Sequence, residues 1–482
     1  MGWFVVTDSL TETQRNAVVE LLRVSPVADD LGRRFATAGH RLHLVGGSVR
    51  DALLGRLGDD LDFATDAHPE RVLVLVKDWA EAVWTTGIAF GTVGAQRRGF
   101  RCEITTYRAD AYDRVSRRPE VTYGESLEDD LVRRDFTVNA MAVSLPEHEF
   151  VDPYDGLADL AARRLRTPRT PQESFADDPL RMMRAARFVA QIGFSVDDGV
   201  VDAMTAMAGE IGRISAERVR DELVKLICGR DPRLGLHLVV RTGLADVVLP
   251  ELPALRMEID EHHQHKDVYA HTLTVLDQAI ELEGPEGPDL ILRLAALMHD
   301  IGKPATRRKE PAGGVSFHHH EAVGAKLTRK RLTALRFPRD VVDPVTKLVY
   351  LHLRFHGYGS GEWTDSAVRR YVTDAGDLLD RLHKLVRADS TTRNRRRAAT
   401  LSRSYDSLEE RIAALRAKEE LDAIRPDLDG TQIMALLGIE PGPLVGTAHK
   451  HLLALRMEHG PLGQERATEE LLAWARENGV ID

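Results

Sequence analysis

Patterns typical of β-strands are confined to the first third of this 482-residue sequence, which limits the folds that the chain can adopt. Between about residues 31 and 165, short apolar runs alternate with glycines, as in strands and turns. From about residue 172 onward, apolar residues recur at helical spacing. A chain of this length also exceeds what one hydrophobic core can hold. The sequence therefore predicts an α+β N-terminal region, here called the head, followed by mostly α-helical domains.

Individual elements can be assigned from the same patterns. In the head, residues 42–45 and 61–64 read as strands, and residues 89–96 and 101–107 read as a further hairpin. Two head segments have helical spacing, residues 49–57 and 69–83. Predicted helices of the remainder span residues 178–192, 217–227, 290–299, 321–335 and 408–418.

Composition excludes several classes of protein. No apolar run approaches the 18 residues of a membrane span, so we expect no membrane partner. The N-terminus lacks the features of a signal peptide, and two cysteines, Cys102 and Cys228, do not suggest a disulfide framework. These features predict a cytoplasmic location. The net charge of −10 does not exclude RNA binding, which needs only a local basic surface.

A glycine turn and a pair of carboxylates stand close together in the head. Gly46 and Gly47 follow the first strand and open a helix, where backbone N–H groups can approach phosphates, and Arg50 in the first helical turn could bind a triphosphate oxygen. Asp60 and Asp62 are two apart on a predicted strand and so point to the same face. Such a pair repels unless a cation lies between, and magnesium prefers carboxylate oxygens with substrate phosphates. A second predicted strand carries Glu103 as a third ligand.

Residues 46–51 with 60–62 resemble the signature of the polymerase-β-like nucleotidyltransferase superfamily, and more narrowly the bacterial class II tRNA nucleotidyltransferases and poly(A) polymerases. The resemblance implies a small mixed β-sheet head that adds nucleotides to an RNA 3′ end by a two-metal, Mg²⁺-dependent transfer. It implies that Asp60 and Asp62 bind the metal ions and, with Glu103 as a third partner, are catalytic.

Two further segments of the head resemble this family. Residues 133–140 read RRDFTVNA and match a family motif without a gap, which implies that Arg134 contacts the nucleotide and that Asp135 braces the site and helps to bind the ribose. The polar stretch between residues 107 and 128 is similar to a mobile family loop needed to switch from C to A addition. Four residues of this stretch are of the types found in that loop and so favour a complete CCA-adding enzyme. They are Asp113, Arg117, Arg118 and Pro119.

Base selection is predicted for residues 177–188, in which Asp178, Arg181, Arg184 and Arg187 are spaced by three. By itself this pattern also fits a helix with Asp178 as N-cap and a solvated arginine face. The segment resembles the family's E-D-x-x-R motif, with Asp177 in place of Glu. A carboxylate that accepts and a guanidinium that donates match the Watson–Crick edges of C and A and oppose those of U and G. Arg184 and Arg187 would support the sugar and phosphates or orient Asp178.

A second metal site is predicted downstream. His271, the pair His299-Asp300, and Asp389 match the H…HD…D ligand order of the HD-domain phosphohydrolases, which this region resembles. His320 and His352 could hold a second ion. Imidazole with carboxylate suits a transition metal or magnesium, so the identity of this divalent metal is open, and a vestigial or structural site is the alternative.

The sequence thus predicts five segments with distinct roles. They are an N-terminal helical extension (1–30), the nucleotidyltransferase head (31–168), a helical neck that binds nucleotide and RNA (169–260), an HD domain (261–395) and a helical tail (396–482). The predicted function is template-independent CCA addition to tRNA from CTP and ATP, with a phosphohydrolase activity of the HD domain. The alternatives are a poly(A) polymerase, a partial CC- or A-adding enzyme, or an HD phosphohydrolase whose head only binds RNA.

Overall fold

The computed structural model of this protein describes residues 26–56, 58–108, 123–124, 126–257, 267–311, 314–357, 363–390, 395–419 and 425–481. The chain divides into two compact units, Met1–Val248 and Leu249–Asp482. None of the described helices combines the length and the apolar character needed to cross a membrane. The predicted boundaries between head, neck, HD domain and tail stay predictions.

The first unit contains a mixed sheet followed by helices. Its described elements are α1 (Pro26–Thr37), β1 (Leu42–Val45), α2 (Gly47–Leu53), β2 (Asp60–Thr65), α3 (Pro69–Val76), β3 (Ala82–Trp84), β4 (Thr92–Arg97), β5 (Phe100–Thr106), α4 (Leu127–Val132), β6 (Ala142–Leu145), β7 (Phe150–Val151), α5 (Gly156–Ala162), β8 (Arg164–Leu165), α6 (Pro171–Asp177), α7 (Leu180–Ile192), β9 (Ser195–Val196), α8 (Asp198–Met207), α9 (Ala216–Ile227), α10 (Pro232–Arg241) and α11 (Leu244–Val248).

The sheet of the first unit has the strand order β3-β4-β5-β2-β1-β6-β7. The pairing of β2 with β5 is parallel and the other pairings are antiparallel. All four residues of β1 are buried, whereas β2 alternates exposed and buried residues at its start and so presents one face to solvent. The predicted mixed sheet is therefore present, and the open face of β2 carries the D-x-D motif.

The helix predicted over residues 69–83 is too long. It ends at Val76, and residues 82–84 form the edge strand β3 instead. A Cβ built on Gly94 would lie 2.0 Å from the ring of Trp84, so the indole packs directly on the bare backbone of β4. This cross-strand contact is not local in sequence and overrides the helical spacing. Similarly, the helix predicted over residues 49–57 begins at Gly47 and ends at Leu53.

Helix α7 lies at the centre of the helical part of the first unit and packs on both α9 and α10. Its apolar face is buried, and Gly193 in the left-handed conformation ends it. The preceding helix, α6, starts with a capping box formed by Thr170 and Glu173. These signals fix the position of the start of α7 and of the Asp178 carboxylate just before it.

The second unit is helical apart from one pair of two-residue strands among the described residues. Its described elements are α12 (Val268–Glu281), α13 (Leu290–Met298), α14 (Lys303–Thr306), β10 (Arg308–Lys309), β11 (Val315–Ser316), α15 (His320–Ala334), α16 (Arg339–Leu351), α17 (Asp365–Ala375), α18 (Leu379–Asp389), α19 (Arg395–Glu419), α20 (Gly430–Leu437), α21 (Pro443–His459) and α22 (Gln464–Glu477). Helices α20, α21 and α22 share a small apolar core of their own.

Candidate active site and candidate metal centre

The open face of the head sheet brings three carboxylates together. Asp60 and Asp62 are both exposed on β2, and in the parallel pairing of β2 with β5 the Cα atom of Asp62 is the partner of Glu103. Residues opposite each other in a ladder point to the same side of the sheet. Arg101 is the partner of Asp60, and its guanidinium lies 3.9 Å from that carboxylate. The arrangement gives three acidic side chains on one surface, a donor set that suits a hard cation such as Mg²⁺.

The carboxylate of Asp62 has an unfavourable environment in the absence of a cation. Although Asp62 is exposed on the open face of β2, the protein around its carboxylate reduces the hydration of that group, and this raises the pKa of Asp62 above its usual value. The negative charges of Glu103 and Asp60 raise the pKa further, while Arg134 and Arg50 act in the opposite direction. A divalent cation at this face would reverse the repulsion and stabilise the ionised form.

The glycine turn is joined to the carboxylates through Ser48. The Ser48 hydroxyl accepts a hydrogen bond from the Asp62 N–H at 2.9 Å and donates to the Asp60 carbonyl at 3.3 Å. Gly46 has a φ of 69°, and a Cβ at this position would lie 2.5 Å from Nη1 of Arg134. Glycine therefore permits both the left-handed turn and the close approach of the arginine. Gly47 begins α2, and a Cβ there would meet only the end of Arg50 at 3.5 Å.

Arg50 is largely occupied by protein partners. It is 9% exposed, donates to both carboxylate oxygens of Asp51, and donates to Oδ1 of Asn139 at 2.5 Å. Its guanidinium also lies over the ring of Phe188 at 5.2 Å. These bonds use three of the five N–H donors of Arg50, so the direct contact with a triphosphate that the sequence predicts is restricted mainly by the burial of this side chain.

The RRDFTVNA segment supplies an arginine and a buried carboxylate. Arg134 donates to Oδ2 of Asp130 from Nε at 3.2 Å and from Nη2 at 2.9 Å. Asp135 is buried and accepts from the Phe136 N–H and the Asn139 amide, both at 2.8 Å. Burial alone opposes ionisation, yet Arg184 and these hydrogen bonds hold the pKa of Asp135 well below its usual range.

The start of α7 carries the predicted base-selecting pair. Asp178 accepts from the Leu180 N–H at 3.1 Å, and its other oxygen accepts from Nη2 of Arg218 at 2.8 Å. Arg181 donates to the Ser174 hydroxyl at 2.8 Å and to the carbonyl of Arg133. A pairing of Asp178 with Arg218 on α9 is not foreseen by the sequence.

The other two arginines of α7 differ in their surroundings. Arg184 bonds Asp135 from Nε at 2.7 Å and from Nη2 at 2.6 Å. Arg187 is buried, pairs with Glu222 at 3.1 Å, and lies over the ring of Phe188 at 4.5 Å. Arg187 is also absent from the described residues that line the cavity between the sheet and α7.

A cavity of about 510 Å³ joins the carboxylates to the arginines. Its polar walls come from the sheet on one side and from α4 and α7 on the other. The charged lining residues are Asp62, Glu103, Arg108, Asp130, Arg133, Arg134, Asp178, Arg181 and Arg184. Sequence reasoning missed Arg108, Asp130, Arg133 and Arg218, because only the three-dimensional fold brings them to the cavity or to Asp178. The loop residues Asp113, Arg117, Arg118 and Pro119 lie outside the described residues.

The second unit brings six predicted ligands into one cluster, here called the histidine–aspartate centre. Its ligand atoms form two trios, each with atoms within 4.8 Å of one another: the first trio is His271, His299 and Asp389, and the second is Asp300, His320 and His352. Nε2 of His271 lies 3.0 Å from Asp389 and 3.7 Å from Asp300. Nε2 of His299 lies between the same two carboxylates, 3.3 Å from Asp300 and 3.5 Å from Asp389.

Three buried histidines of the centre aim the same nitrogen inward. Nδ1 of His299, His320 and His352 bonds the carbonyl of the residue three positions earlier, at 2.8, 2.9 and 2.6 Å. A carbonyl can only accept, so Nδ1 carries a proton in each ring, and Nε2 is the nitrogen that can offer a lone pair to a metal ion. Nε2 of each ring is buried without a hydrogen-bond partner among the described residues. Buried polar atoms normally have partners, and this backbone anchoring is typical of metal-ligating histidine, so the cluster fits a metal ion.

The charges within the centre are strongly coupled. Burial opposes ionisation of Asp300 and Asp389, but His299 and the other cationic neighbours hold the pKa of both carboxyl groups well below the usual range. Although burial disfavours a charged imidazole, the same carboxylates raise the pKa of His299 to about 10. Burial lowers the pKa of His352 to about 3. Lys303 also contacts Asp300 at 2.9 Å, a pairing missed from the sequence.

Comparison with known proteins agrees with this architecture. Three family descriptions match the chain: "Poly A polymerase head domain" over residues 42–166, "Probable RNA and SrmB- binding site of polymerase A" over residues 193–255, and "HD domain" over residues 268–394. An A-adding tRNA nucleotidyltransferase of Deinococcus radiodurans is 36% identical over 446 residues, which is 90% of this chain and 95% of that protein. This chain belongs to the tRNA nucleotidyltransferase family. The predicted family and enzyme class are thereby confirmed.

Further relatives support the assignment to the tRNA nucleotidyltransferase family. A CC-adding tRNA nucleotidyltransferase of Thermus thermophilus is 34% identical over 439 residues, 89% of this chain and 93% of that protein. The crystal structure of the Bacillus stearothermophilus CCA-adding enzyme in complex with CTP superposes with a TM-score of 0.67 at 25% identity, and the match covers 95% of this chain and 99% of that one. The predicted α+β fold class, a mixed-sheet head followed by helical domains, is confirmed as well.

Proposed function

We propose that this protein adds C, C and A to the 3′ end of tRNA, using CTP and ATP without a nucleic-acid template. The observation that carries the proposal is the cavity in which Asp62 and Glu103 face Asp178 and Arg181. A reaction centre and a base-reading pair that share one cavity allow one nucleotide to be chosen and transferred in place. The proposed substrate also implies action in the cytoplasm, where tRNA is used.

The acidic face is proposed to bind two Mg²⁺ ions through Asp60 and Asp62, with Glu103 as a supporting ligand. Ions bound there would activate the RNA 3′-hydroxyl and stabilise the leaving pyrophosphate. Ser48 fixes the strand backbone on both sides of Leu61, so the two aspartates are held in a defined spacing. Asp60 is 83% exposed, which leaves its carboxylate accessible to an incoming RNA end.

The arginine side of the cavity is proposed to bind the nucleotide. Arg134 and Arg184 would contact its phosphates and sugar, and Arg50 would support the turn. Gly47 would offer its backbone N–H group, since that of Gly46 already donates to the Met141 carbonyl at 3.3 Å. Asp178 and Arg181 would read the Watson–Crick edge. Each such contact favours C and A over U and G by about 1–3 kcal/mol. Asp135 would hold Arg184 in position in this wall, and Arg187 would stabilise α7 on the side away from the cavity.

The decisive experiment uses a tRNA transcript that lacks its CCA end, with Mg²⁺ and with CTP and ATP supplied separately and together. Sequencing of the products should show CCA followed by a stop. Asp62→Asn should abolish extension, whereas Asp59→Asn, an exposed neighbour of the same chemistry, should leave it intact. Addition of CC alone or of A alone would identify a partial enzyme, and a long A tail from ATP would identify a poly(A) polymerase.

A second activity is proposed for the histidine–aspartate centre, hydrolysis of phosphate esters at RNA ends. The specific observation is the set of three buried Nε2 atoms that have no hydrogen-bond partner among the described residues, which together with two carboxylates offers ligands for one or two divalent ions. Such ions would activate water for attack on phosphorus. Lys303, beside Asp300, places a positive charge at the edge of the centre that suits a phosphate oxygen.

This activity can be tested with bis(p-nitrophenyl) phosphate and p-nitrophenyl phosphate in the presence of Mn²⁺, Ni²⁺, Co²⁺ or Mg²⁺ in turn. Hydrolysis should require one of these ions and should disappear in His299→Ala, while CCA addition by the same variant continues. Lack of hydrolysis with every ion and both esters, in a protein that still extends tRNA, would point to a vestigial or structural centre.

A further inference from the structure

Tyr405 of α19 contacts the two chain segments that immediately follow a ligand from each trio. Asp389, of the first trio, is the last residue of α18, and Tyr405 bonds the next residue, Ser390, at 2.5 Å. His352, of the second trio, follows α16, and Tyr405 stacks on Phe355 three residues later. One side chain from outside the ligand-bearing helices therefore contacts a segment next to one ligand of each trio.

The hydroxyl of Tyr405 completes the end of the helix that carries Asp389. It donates to the carbonyl of Val386 at 3.0 Å, and the Ser390 hydroxyl lies within 3.2 Å of the same carbonyl. The last carbonyls of a helix lack intrahelical partners, and helix ends without partners fray. Both hydroxyls can donate to this carbonyl, and each has a single proton, so whichever one donates there also accepts a hydrogen bond from the other. These bonds hold the backbone on both sides of Asp389.

The ring of Tyr405 holds the other segment. Its centroid lies 4.0 Å from that of Phe355, with an interplanar angle of 26°, and both residues are buried. Phe355 lies in the 3₁₀ turn His352–Gly357, which begins at the metal-facing histidine. Arg387 of α18 adds a second tie to α19 through Asp406 at 2.9 Å. Packing and hydrogen bonding by α19 thus act on the same two ligand-bearing segments.

We propose that Tyr405 is a positioning residue of the histidine–aspartate centre, which holds the segments after Asp389 and His352 together and so keeps the two ligand trios at metal-binding spacing. The inference rests on the proposed metal binding of that centre and goes beyond it, because it assigns part of the metal affinity to α19. Groups that orient ligands without touching the metal typically change metal affinity by about 10- to 100-fold.

The test uses the full-length chain with Asp60→Asn and Asp62→Asn in every sample, so that the head contributes little metal binding. Co²⁺ is titrated, and the visible absorption that imidazole ligands induce is recorded. Tyr405→Phe removes the hydroxyl and keeps the ring, and Tyr405→Leu removes both. Tyr371→Phe is the matched control, because the Tyr371 hydroxyl is also buried but has no hydrogen-bond partner among the described residues.

We expect the Co²⁺ dissociation constant to rise about tenfold in Tyr405→Phe and about a hundredfold in Tyr405→Leu, with no change in Tyr371→Phe. The inference is overturned if Tyr405→Phe binds Co²⁺ as the parent does, even if its melting temperature falls, or if Tyr371→Phe weakens binding equally. Absence of any imidazole-type absorption in the parent would overturn the proposed metal centre itself, and the role of Tyr405 with it. The two failures are therefore distinguishable.

Discussion

The buried ion pair between Arg184 and Asp135 allows a quantitative test of how the arginine wall of the cavity is held. The perturbation is Arg184→Met, which removes the guanidinium and keeps an unbranched side chain of similar shape. In the wild type, two nitrogens of Arg184 bond the same oxygen of Asp135 at 2.7 and 2.6 Å. The carboxylate is 7% exposed, so the variant leaves a buried charge whose main counter-ion is gone.

The magnitude follows from burial on the two sides of the pair. Removal of one partner from a buried ion pair destabilises a protein by about 3–5 kcal/mol. The lower end applies here, because Arg184 is 34% exposed and because Asp135 keeps its bonds from Phe136 and Asn139. We therefore expect a loss of about 3 kcal/mol in the free energy of unfolding of this region at pH 7.

The pH dependence of that loss has a definite sign. In the wild type the pKa of Asp135 is held well below its usual range, so the ionised carboxylate stabilises the fold above the unfolded pKa of about 3.9, and this contribution is lost as the pH falls. Without Arg184, the effect of burial on Asp135 is less opposed, so the pKa of this carboxyl group rises. Protonation of Asp135 then removes the unpaired buried charge in the variant. The loss of unfolding free energy relative to the wild type should therefore become smaller as the pH falls from 7 to 4.

The assay must report on the first unit alone, because unfolding of a chain with two compact units is not a single transition. Hydrogen exchange of the amides of α7, measured against urea concentration, gives the local free energy of opening. Arg213→Met is the control, since its pair with Glu210 is half-exposed on both sides and is worth about 0–1 kcal/mol. A loss below 1 kcal/mol for Arg184→Met, or an equal loss at pH 4 and pH 7, would refute the reasoning.

Three further predictions concern the cavity and the metal centre. Arg218→Ala releases one oxygen of Asp178, and we expect the preference of kcat/KM for CTP over UTP to fall about tenfold, as measured in single-nucleotide extension assays. Gly46→Ala should raise the KM for nucleotide about tenfold because its Cβ displaces Arg134, whereas Gly55→Ala, with the same φ of 69° and open space, should only destabilise by about 1 kcal/mol. Removal of divalent metal by a chelator should lower the free energy of unfolding of the second unit, measured by calorimetry, by about 2.7 kcal/mol. The reference is protein with metal present at about 100 times its dissociation constant. Addition of Mn²⁺ should restore the lost stability.

The sequence predicts the order of head elements well because the decisive signals are local. Residues two apart on a strand share a face, and this places Asp60 and Asp62 together without knowledge of the fold. The position of Glu103 is different, because it depends on the parallel pairing of β2 with β5 across four intervening elements, namely one helix, one 3₁₀ helix and two strands. The register of that pairing is set by the whole sheet, so Glu103 could be named as a candidate but not placed.

The arginines of α7 illustrate where spacing alone misleads. A step of three residues advances about 300° around an α-helix, so two such steps rotate a side chain by about 120° from its start. Arg181 and Arg184 face the cavity, and Arg187 has turned away toward Glu222 and the ring of Phe188. The rotation of successive arginines around α7 can be calculated from the sequence. The positions of the helices packed against α7 cannot, and those positions decide which arginine meets solvent.

The distribution of donors among the cavity arginines separates their roles further. A guanidinium has five N–H donors. Arg134 uses two nitrogens on Asp130, and Arg184 uses two on Asp135, so each retains donors toward the cavity that both side chains line. Arg50, by contrast, has all three nitrogens bonded to Asp51 and Asn139 and is nearly buried. A triphosphate that enters the cavity therefore meets Arg134 and Arg184 as charge-paired donors held in place, whereas Arg50 uses three of its five donors within the protein and its burial restricts access to the other two.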